Sequence, residues 1–477
     1  MKKYDIAVIG GGVIGCEIAR KLTSLSQSVA LIEKCADVAS YGATKANSGI
    51  VHAGFDCKVG TLKAKLNVLG SEMYPKLCKR LSVELDNCGA LVVGKSEDEE
   101  KIQHLFAQGV QNGVKNLQII HKEEIAKYIK NPNPQIEVAL YAGTSSVVSP
   151  YHLAIAMAEE AVINGCDAYF NSGVTAIQKT ADHFKITAGE NIINAKIVIN
   201  ACGGGAQKIN EIAGAEKFET TFARGEYMLL DLSEKDIVSA TIFPLPTKLG
   251  KGVLCSPTAH GNIIIGPTAI ATKGDDTVVT PEGLDYIKQN LAQMVRGVNF
   301  RKNIRVFSGV RAVSGDDFII EKSKCVENFL YLGGICSPGL SSAPAIANYV
   351  CELLGDDCDL KPLENQKFRT PYKITSHMTD EELNQTISKD PAYGEIVCRC
   401  EKITRGEILE AINSPLSPTT IDGIKRRVRA GMGRCQGGFC MPTIMEIISK
   451  QKNIPMEEIT KFGKGSEILQ KEDSNEL

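Results

Sequence analysis

Tyr4-Asp5-Ile6-Ala7-Val8-Ile9-Gly10-Gly11-Gly12-Val13-Ile14-Gly15, followed by Val29-Ala30-Leu31-Ile32-Glu33-Lys34, is the stretch whose reading decides the fold. The apolar run Ile6 to Ile9, bounded by glycine, reads as a fully buried strand of a parallel sheet. A helix predicted from Val13 to Ser24 follows it, and Gly10, Gly12 and Gly15 between them keep the G-x-G-x-x-G spacing. Gly10 permits the tight turn, Gly12 lets the backbone approach a pyrophosphate, and Gly15 lets helix and sheet pack closely. The helix N-terminus, opening at Val13 and Ile14, faces the diphosphate. Roughly 20 residues on, Glu33 ends the second strand, with Lys34 beside it, where a carboxylate accepts hydrogen bonds from ribose hydroxyls. The motif implies a dinucleotide and leaves FAD and NAD both open.

The 477-residue chain is too long for one compact core, so several domains are expected. Its net charge of -2 gives no global pull toward nucleic acid or an acidic membrane. Met1-Lys2-Lys3 runs straight into a strand, so no secretory signal is expected and the expected compartment is the cytoplasm. The charge-free run Asn328 to Cys351 is long enough to span a bilayer, but Gly333, Gly334, Pro338, Gly339 and Pro344 would break such a helix. Sixteen cysteines in a cytosolic chain read as core residues, metal ligands or redox groups rather than disulfides.

Further buried strands, such as Ile197-Val198-Ile199, place a parallel sheet in residues 1–80, 146–219 and 306–360. Residues 81–145 and 220–305 mix strands such as Tyr227 to Leu230 and Ile263 to Ile265 with turns, which predicts an inserted antiparallel sheet that holds the substrate. Residues 361–392, polar and bracketed by Pro362, Pro371 and Pro391, read as a linker. A small domain over 393–450 and a tail over 451–477 complete the chain, with Lys471 to Leu477 reading as a frayed end.

Ile197 to Gly203, Gly309-Val310-Arg311 and Gly333 to Pro344 resemble the flavin-binding segments of D-amino-acid-oxidase-type flavoenzymes. That resemblance implies FAD rather than NAD. It implies cofactor contacts from Gly10, Gly12, Val13, Ile14, Gly15, Glu33, Lys34, Thr44, Asn47, Ser48, Gly49, Val174, Ala201, Cys202, Gly203, Arg311, Gly334, Gly339, Leu340, Ser341 and Ser342. It also implies a turn at Arg311 and a helix starting near Ser341. Asn47 to Phe55 resembles the flavin-face segment of glycerol-3-phosphate dehydrogenases and L-2-hydroxyglutarate oxidases, and Gly60 to Leu66 is closer to the second group. Within that segment His52 is the candidate base, since imidazole titrates near neutral pH. Arg311 is the candidate anchor for a phosphate or carboxylate, with Arg224, Tyr227, Lys248 and His260 as further substrate candidates and Lys251 in the same region.

Cys398-Arg399-Cys400 and Cys435 to Cys440 bring four thiols into one short domain as C-x-C and C-x4-C. Cysteines one residue apart can each reach an iron, and Gly431, Gly433, Gly437 and Gly438 let a loop wrap a cluster and aim amides at its sulfurs. Structural zinc more often uses C-x2-C knuckles and stays the alternative. The segment resembles the bacterioferritin-associated-ferredoxin-type [2Fe-2S] domain, in the version found on anaerobic glycerol-3-phosphate dehydrogenase catalytic subunits. Lys425, Arg426, Arg427, Arg429 and Arg434 are expected to offset the cluster's charge, to dock an acidic partner, or simply to form a solvated helix face.

The expectation is an α/β and α+β chain: a Rossmann-like FAD-binding domain, an inserted antiparallel-sheet substrate domain and a small helical iron-sulfur domain. The resemblance implies an FAD-dependent dehydrogenase that oxidises sn-glycerol 3-phosphate and sends electrons through a [2Fe-2S] cluster to an electron-accepting protein subunit or quinone-linked acceptor. An L-2-hydroxyglutarate dehydrogenase, an amine or proline dehydrogenase, and an electron-transfer subunit without its own substrate are the alternatives. No nucleic-acid partner is expected, and membrane association at most through a partner.

Overall fold

The computed structural model describes residues 2–246 and 252–470; Lys248, Lys251 and Lys471 to Leu477 lie outside the described residues. Strands Lys3–Ile9, Val29–Ile32, Asn191–Asn200 and Phe329–Gly333 lie parallel in one sheet, with Ile9 opposite both Ile32 and Asn200, and Asn200 opposite Tyr331. Asp167–Tyr169 extends the sheet beyond Val29–Ile32, and the hairpin of Val174–Lys179 and Phe184–Ala188 is added to Asn191–Asn200. Because the four central strands share one direction, their carboxyl ends make one edge, where open α/β sheets bind ligands. Helices Val13–Thr23, Pro150–Ile163 and Gly339–Leu354 cover the sheet, and Ile6, Leu31, Leu153 and Ile346 share its core.

The inserted sheet runs Ile270–Thr272, Thr221–Leu230, Ile263–Gly266, Leu254–Pro257, Thr241–Pro244, Ala90–Gly94, Val138–Ala142, Leu117–His121. Asn303–Val313 pairs along the other side of Thr221–Leu230. Two expectations are corrected by this arrangement. The sheet is not wholly antiparallel: Thr241–Pro244 pairs parallel with Ala90–Gly94. These strands come from the two separate insertions, so no hairpin dictates their relative direction. Gly309, Val310 and Arg311 are strand residues rather than a turn, since Thr221–Leu230 offers a partner along nearly the whole of Asn303–Val313.

The stretch read as a linker holds a helix, Asp380–Lys389, started by reciprocal hydrogen bonds between Thr379 and Glu382. Its first part is tied to the parallel-sheet domain, because Arg369 and Tyr372 both bond Glu159. The C-terminal domain pairs Ile396–Cys398 with Ile403–Thr404 and packs helices Arg405–Ile412, Ile421–Val428 and Met441–Lys452 around Ile408, Ile424 and Ile444. Ile459 joins that core, and the Ile421 and Asp422 amides donate to the Thr460 and Lys461 carbonyls. Residues 451–470 are therefore part of this domain rather than a tail. No helix among the described residues is long and apolar enough to cross a membrane.

One carboxylate joins the two ends of the chain. Asp37 accepts from Arg427 at 2.7 and 3.0 Å and from Arg426 at 3.0 Å, all three side chains being buried. Burial alone would raise the Asp37 carboxyl, but Arg427 and then Arg426 outweigh it and hold it below the usual range. Asp37→Ala strands two buried cations and is expected to cost about 3–5 kcal/mol, read by scanning calorimetry. A depressed carboxylate stabilises above its unfolded value, about 3.9, and that contribution is lost as pH falls through the lower folded value. Proteolysis within 361–392 should accordingly accelerate in that acid window, and much less in the variant, which has already lost the carboxylate.

Candidate active site and iron-sulfur centre

The glycine turn sits at the carboxyl edge of the parallel sheet. A Cβ on Gly10, whose φ is +114°, would lie 2.5 Å from the Ala201 carbonyl oxygen, and one on Gly15 would lie 1.9 Å from the Gly10 oxygen. Strand, turn and helix therefore approach too closely for any other residue. The Val13 amide donates to Thr44 Oγ1 at 3.0 Å, which sets that hydroxyl at the helix N-terminus. Glu33 accepts from the Gly11 amide at 2.6 Å and the Cys35 amide at 2.9 Å, fixing its carboxylate beside the turn. Gly11 is thus a contributor that the three-glycine pattern does not single out. Lys34 lies over the Tyr41 ring, and Val174 follows Gly173, which packs against Lys34, and Ser172, whose amide donates to the Glu33 carbonyl. Ala201, Cys202 and Gly203 continue Asn191–Asn200, with the Ala201 amide and the Cys202 thiol both on the Ile9 carbonyl. This edge is a cradle with backbone on all sides, as an extended dinucleotide needs.

Asn47 turns the next loop, its side chain accepting from the Gly49 amide at 2.7 Å, with Ser48 half-buried between them. Gly49 leads into Ile50–Val51 and His52. The buried His52 donates its amide to Ser341 Oγ at 2.7 Å, and its Nε2 lies 3.4 Å from Ser337 Oγ. Its ring centroid is 5.7 Å from that of Phe243. Gly334, with φ +63°, begins the turn to Gly339, where the helix opens two residues before the expected Ser341; Leu340 and Ser342 lie in its first turn. His52 is therefore wedged between this helix start and the inserted sheet. Ser337 and Phe243 are contributors that sequence reasoning misses, although Ser337 lies inside the glycine-rich segment that carries the flavoenzyme resemblance.

Side chains alternate along a strand, and this sorts the arginines. Ala223, Gly225 and Tyr227 stand opposite Arg311, Gly309 and Phe307, so all six share one face. Tyr227 stacks on Phe307 at 5.0 Å between centroids. A Cβ on Gly309 would lie 2.0 Å from the Ala46 carbonyl, so the loop that leads to His52 rests directly on this face. Arg311 donates to the Thr268 carbonyl at 3.0 Å and has no carboxylate partner among the described residues. Arg224 points to the opposite face, paired with Glu226 and Asp276. His260 has a carboxylate partner of its own. Burial lowers its pKa, its Nδ1 bonds Glu84 at 2.9 Å, and its charged neighbours include Arg429 and Glu401 of the C-terminal domain. His52 and Arg311 are linked through the loop from Ala46 to His52 that rests on the Arg311 strand.

The thiols stand in two pairs. Cys400 and Cys435 are 3.5 Å apart, and a hydrogen bond between Cys398 and Cys440 lowers the Cys398 thiol and raises that of Cys440. Gly431 donates its amide to Cys398, and the amides of Gly437, Phe439 and Gly438 serve Cys435. Among the described residues no three ligands converge on a single ion. Two pairs of thiolates fit a two-iron cluster better than one tetrahedral zinc. The basic run is largely consumed within the chain: Arg426 and Arg427 on Asp37, Arg429 on Glu401, Arg434 on Asp231. Arg426 and Arg427 are buried, whereas the Arg434 side chain is exposed.

Residues 5–353 match the FAD dependent oxidoreductase family, and residues 396–450 match the BFD-like [2Fe-2S] binding domain. The chain is 43% identical over 474 residues to a glycerol 3-phosphate dehydrogenase of Caloramator mitchellensis, covering 98% of each. It resembles the solved structure of L-alpha-glycerophosphate oxidase from Mycoplasma pneumoniae with FAD bound, at 30% identity and a TM-score of 0.73, covering 78% of this chain and all of that one. Human mitochondrial L-2-hydroxyglutarate dehydrogenase is 29% identical over 286 residues, 56% of this chain and 61% of that one. FAD and a [2Fe-2S] cluster are the cofactors of the present chain. The chain belongs to the FAD-dependent oxidoreductase family, as a homologue of glycerol 3-phosphate dehydrogenases that carries a BFD-like [2Fe-2S] domain.

Proposed function

We propose that this chain oxidises sn-glycerol 3-phosphate to dihydroxyacetone phosphate and passes the electrons through its cluster to a partner protein or quinone-linked acceptor, working in the cytoplasm. The observation that carries the reading is His52, buried against Ser337, Ser341 and Phe243 on the loop that rests on the Arg311-bearing strand. Full-length similarity to a glycerol 3-phosphate dehydrogenase supports the substrate. FAD, when bound by the turn at Gly10 to Gly15 and the segments around Ala201 and Gly334, supplies the hydride acceptor.

The residues of the chain do the rest. Turning a secondary alcohol into a ketone removes the hydroxyl proton together with a hydride, and His52 takes the proton. Ser337 at Nε2 and the Ser341 bond to the His52 amide hold the imidazole in place. Arg311, unpaired with any carboxylate among the described residues, binds the phosphate by its planar fork of donors. Phe243, Tyr227 and Phe307 present apolar faces that keep water from the reacting carbon. L-2-hydroxyglutarate carries the same combination of secondary alcohol and anion and is the second reading. Gly60 to Leu66, which favours it in sequence, also serves the fold, since the Leu62 and Lys63 amides cap onto Asp317.

His52→Gln is expected to slow anaerobic flavin reduction by glycerol 3-phosphate by about 10²–10⁴-fold with flavin content unchanged. A native rate would remove His52 as base, and reduction by L-2-hydroxyglutarate alone would replace the substrate. Arg311→Met should cut the preference for glycerol 3-phosphate over glycerol by about 1.5–3 kcal/mol, roughly ten- to hundredfold in the ratio of kcat/KM values. Arg224→Met, on the other face, should lower thermal stability and leave that ratio intact.

A further inference from the structure

Two walls flank the glycine turn. Ile9 lies opposite both Ile32 and Asn200, so the segments that continue those strands, Glu33 to Thr44 and Ala201 to Gly205, stand on either side of the turn. Neighbouring strands are about 4.8 Å apart, which sets the walls about 10 Å from one another. One segment of the inserted sheet touches both. A Cβ on Gly204 would lie 3.3 Å from the Phe222 ring, and Phe222 pairs with Thr272, the last residue of Ile270–Thr272. From Thr272 the chain runs through Lys273 and Gly274 to Asp275, which accepts a hydrogen bond from the Tyr41 hydroxyl on the opposite wall. Three extended residues reach about 10 Å, enough for that crossing.

This loop is held by bonds rather than by packing. Lys273, Gly274 and Asp275 are exposed, and a Cβ on Gly274 would have no described residue within 4 Å. Its far foot is fixed. Asp276 accepts from Arg224 and, at 3.0 Å, from the Val278 amide, and the buried Glu226 accepts from the Thr280 amide and hydroxyl, both at 3.1 Å. Between that foot and Thr272, Asp275 ties the loop to the nucleotide-binding side through Tyr41. Lys34 Nζ stands 4.5 Å from the centroid of the Tyr41 ring, on the wall that carries Glu33. Burial and then the Asp275 bond push the Tyr41 phenol up to about 12, so it keeps its proton and donates throughout the neutral range. A diphosphate drawn to the helix N-terminus at Val13 has to pass between these walls to reach it. We infer that Lys273 to Asp275 form a strap across the nucleotide cradle, latched by the Tyr41–Asp275 bond, and that FAD enters and leaves when this latch opens. Both partners of the latch belong to the protein, so weakening it speeds entry and exit alike and leaves the affinity nearly unchanged.

FAD release is followed by the rise in free-flavin fluorescence when the full-length holoprotein is diluted, and FAD uptake by quenching on mixing with flavin-depleted full-length protein. Tyr41→Phe keeps the ring beside Lys34 and removes the donor. It and Asp275→Ala should each speed both steps about tenfold, as expected for one hydrogen bond to a carboxylate, with Kd within about twofold of native. The double variant should be no faster than either single one, because both remove the same bond. A native release rate in either single variant, a Kd that rises while uptake stays native, or effects that multiply in the double variant would each overturn the latch. No substrate is present, so the outcome does not depend on which alcohol the enzyme oxidises.

Discussion

The Ala46 carbonyl lies so close over Gly309 that a single methyl group there would displace it, and most of the site geometry follows from that contact. It lays the loop from Thr44 to His52 flat on strand Asn303–Val313, joining the nucleotide-binding sheet to the inserted sheet. The loop is held at its start by the Thr44 hydroxyl on the helix N-terminus and by Asn47 on its own backbone, and at its end by the His52 amide on Ser341. His52 thus enters the space between the two sheets from a segment fixed at both ends. A side chain in such a position loses little entropy when it engages a ligand.

The same strand serves three neighbourhoods in turn. Arg311 faces the proposed substrate space, Gly309 receives the flavin loop, and Arg305 holds Gln436 of the cluster loop. Strands are stiff compared with loops, so the spacing between these stations is set by backbone geometry. The Asp37 contact with Arg426 and Arg427 adds a second point of attachment, and Arg434 on Asp231 a third. Three separated attachments resist rotation of the small domain. The exposed Arg434 pair contributes little energy, while the buried pair at Asp37 is costly to break.

Residues whose role is local were legible in the sequence. The glycine turn and the C-x-C and C-x4-C pairs carry their signal in spacing over a few positions, although the contacts they make, Gly11 with Glu33 and Cys400 with Cys435, span 22 and 35 residues. The Thr379 to Glu382 start signal was just as local, and was masked by the flanking prolines and polar composition. Arg224 was also decidable: three positions from Tyr227, it must face the other way on any continuous strand. His260 was not, because its fate depends on Glu84 and on a domain more than a hundred residues later. Asp37 shows the same limit. Nothing around it marks a carboxylate whose partners are Arg426 and Arg427, and a basic run next to cysteines looks like a surface until its counter-charge is known.

That reassignment changes what the basic run can do. A stripe of free arginines would attract any acidic surface, and its effect would vanish with salt. With Arg426, Arg427, Arg429 and Arg434 paired to carboxylates of the chain, Lys425 is left, half-buried like Lys45 and Arg305. Charges in such a place are poorly screened and act on what lies between the domains.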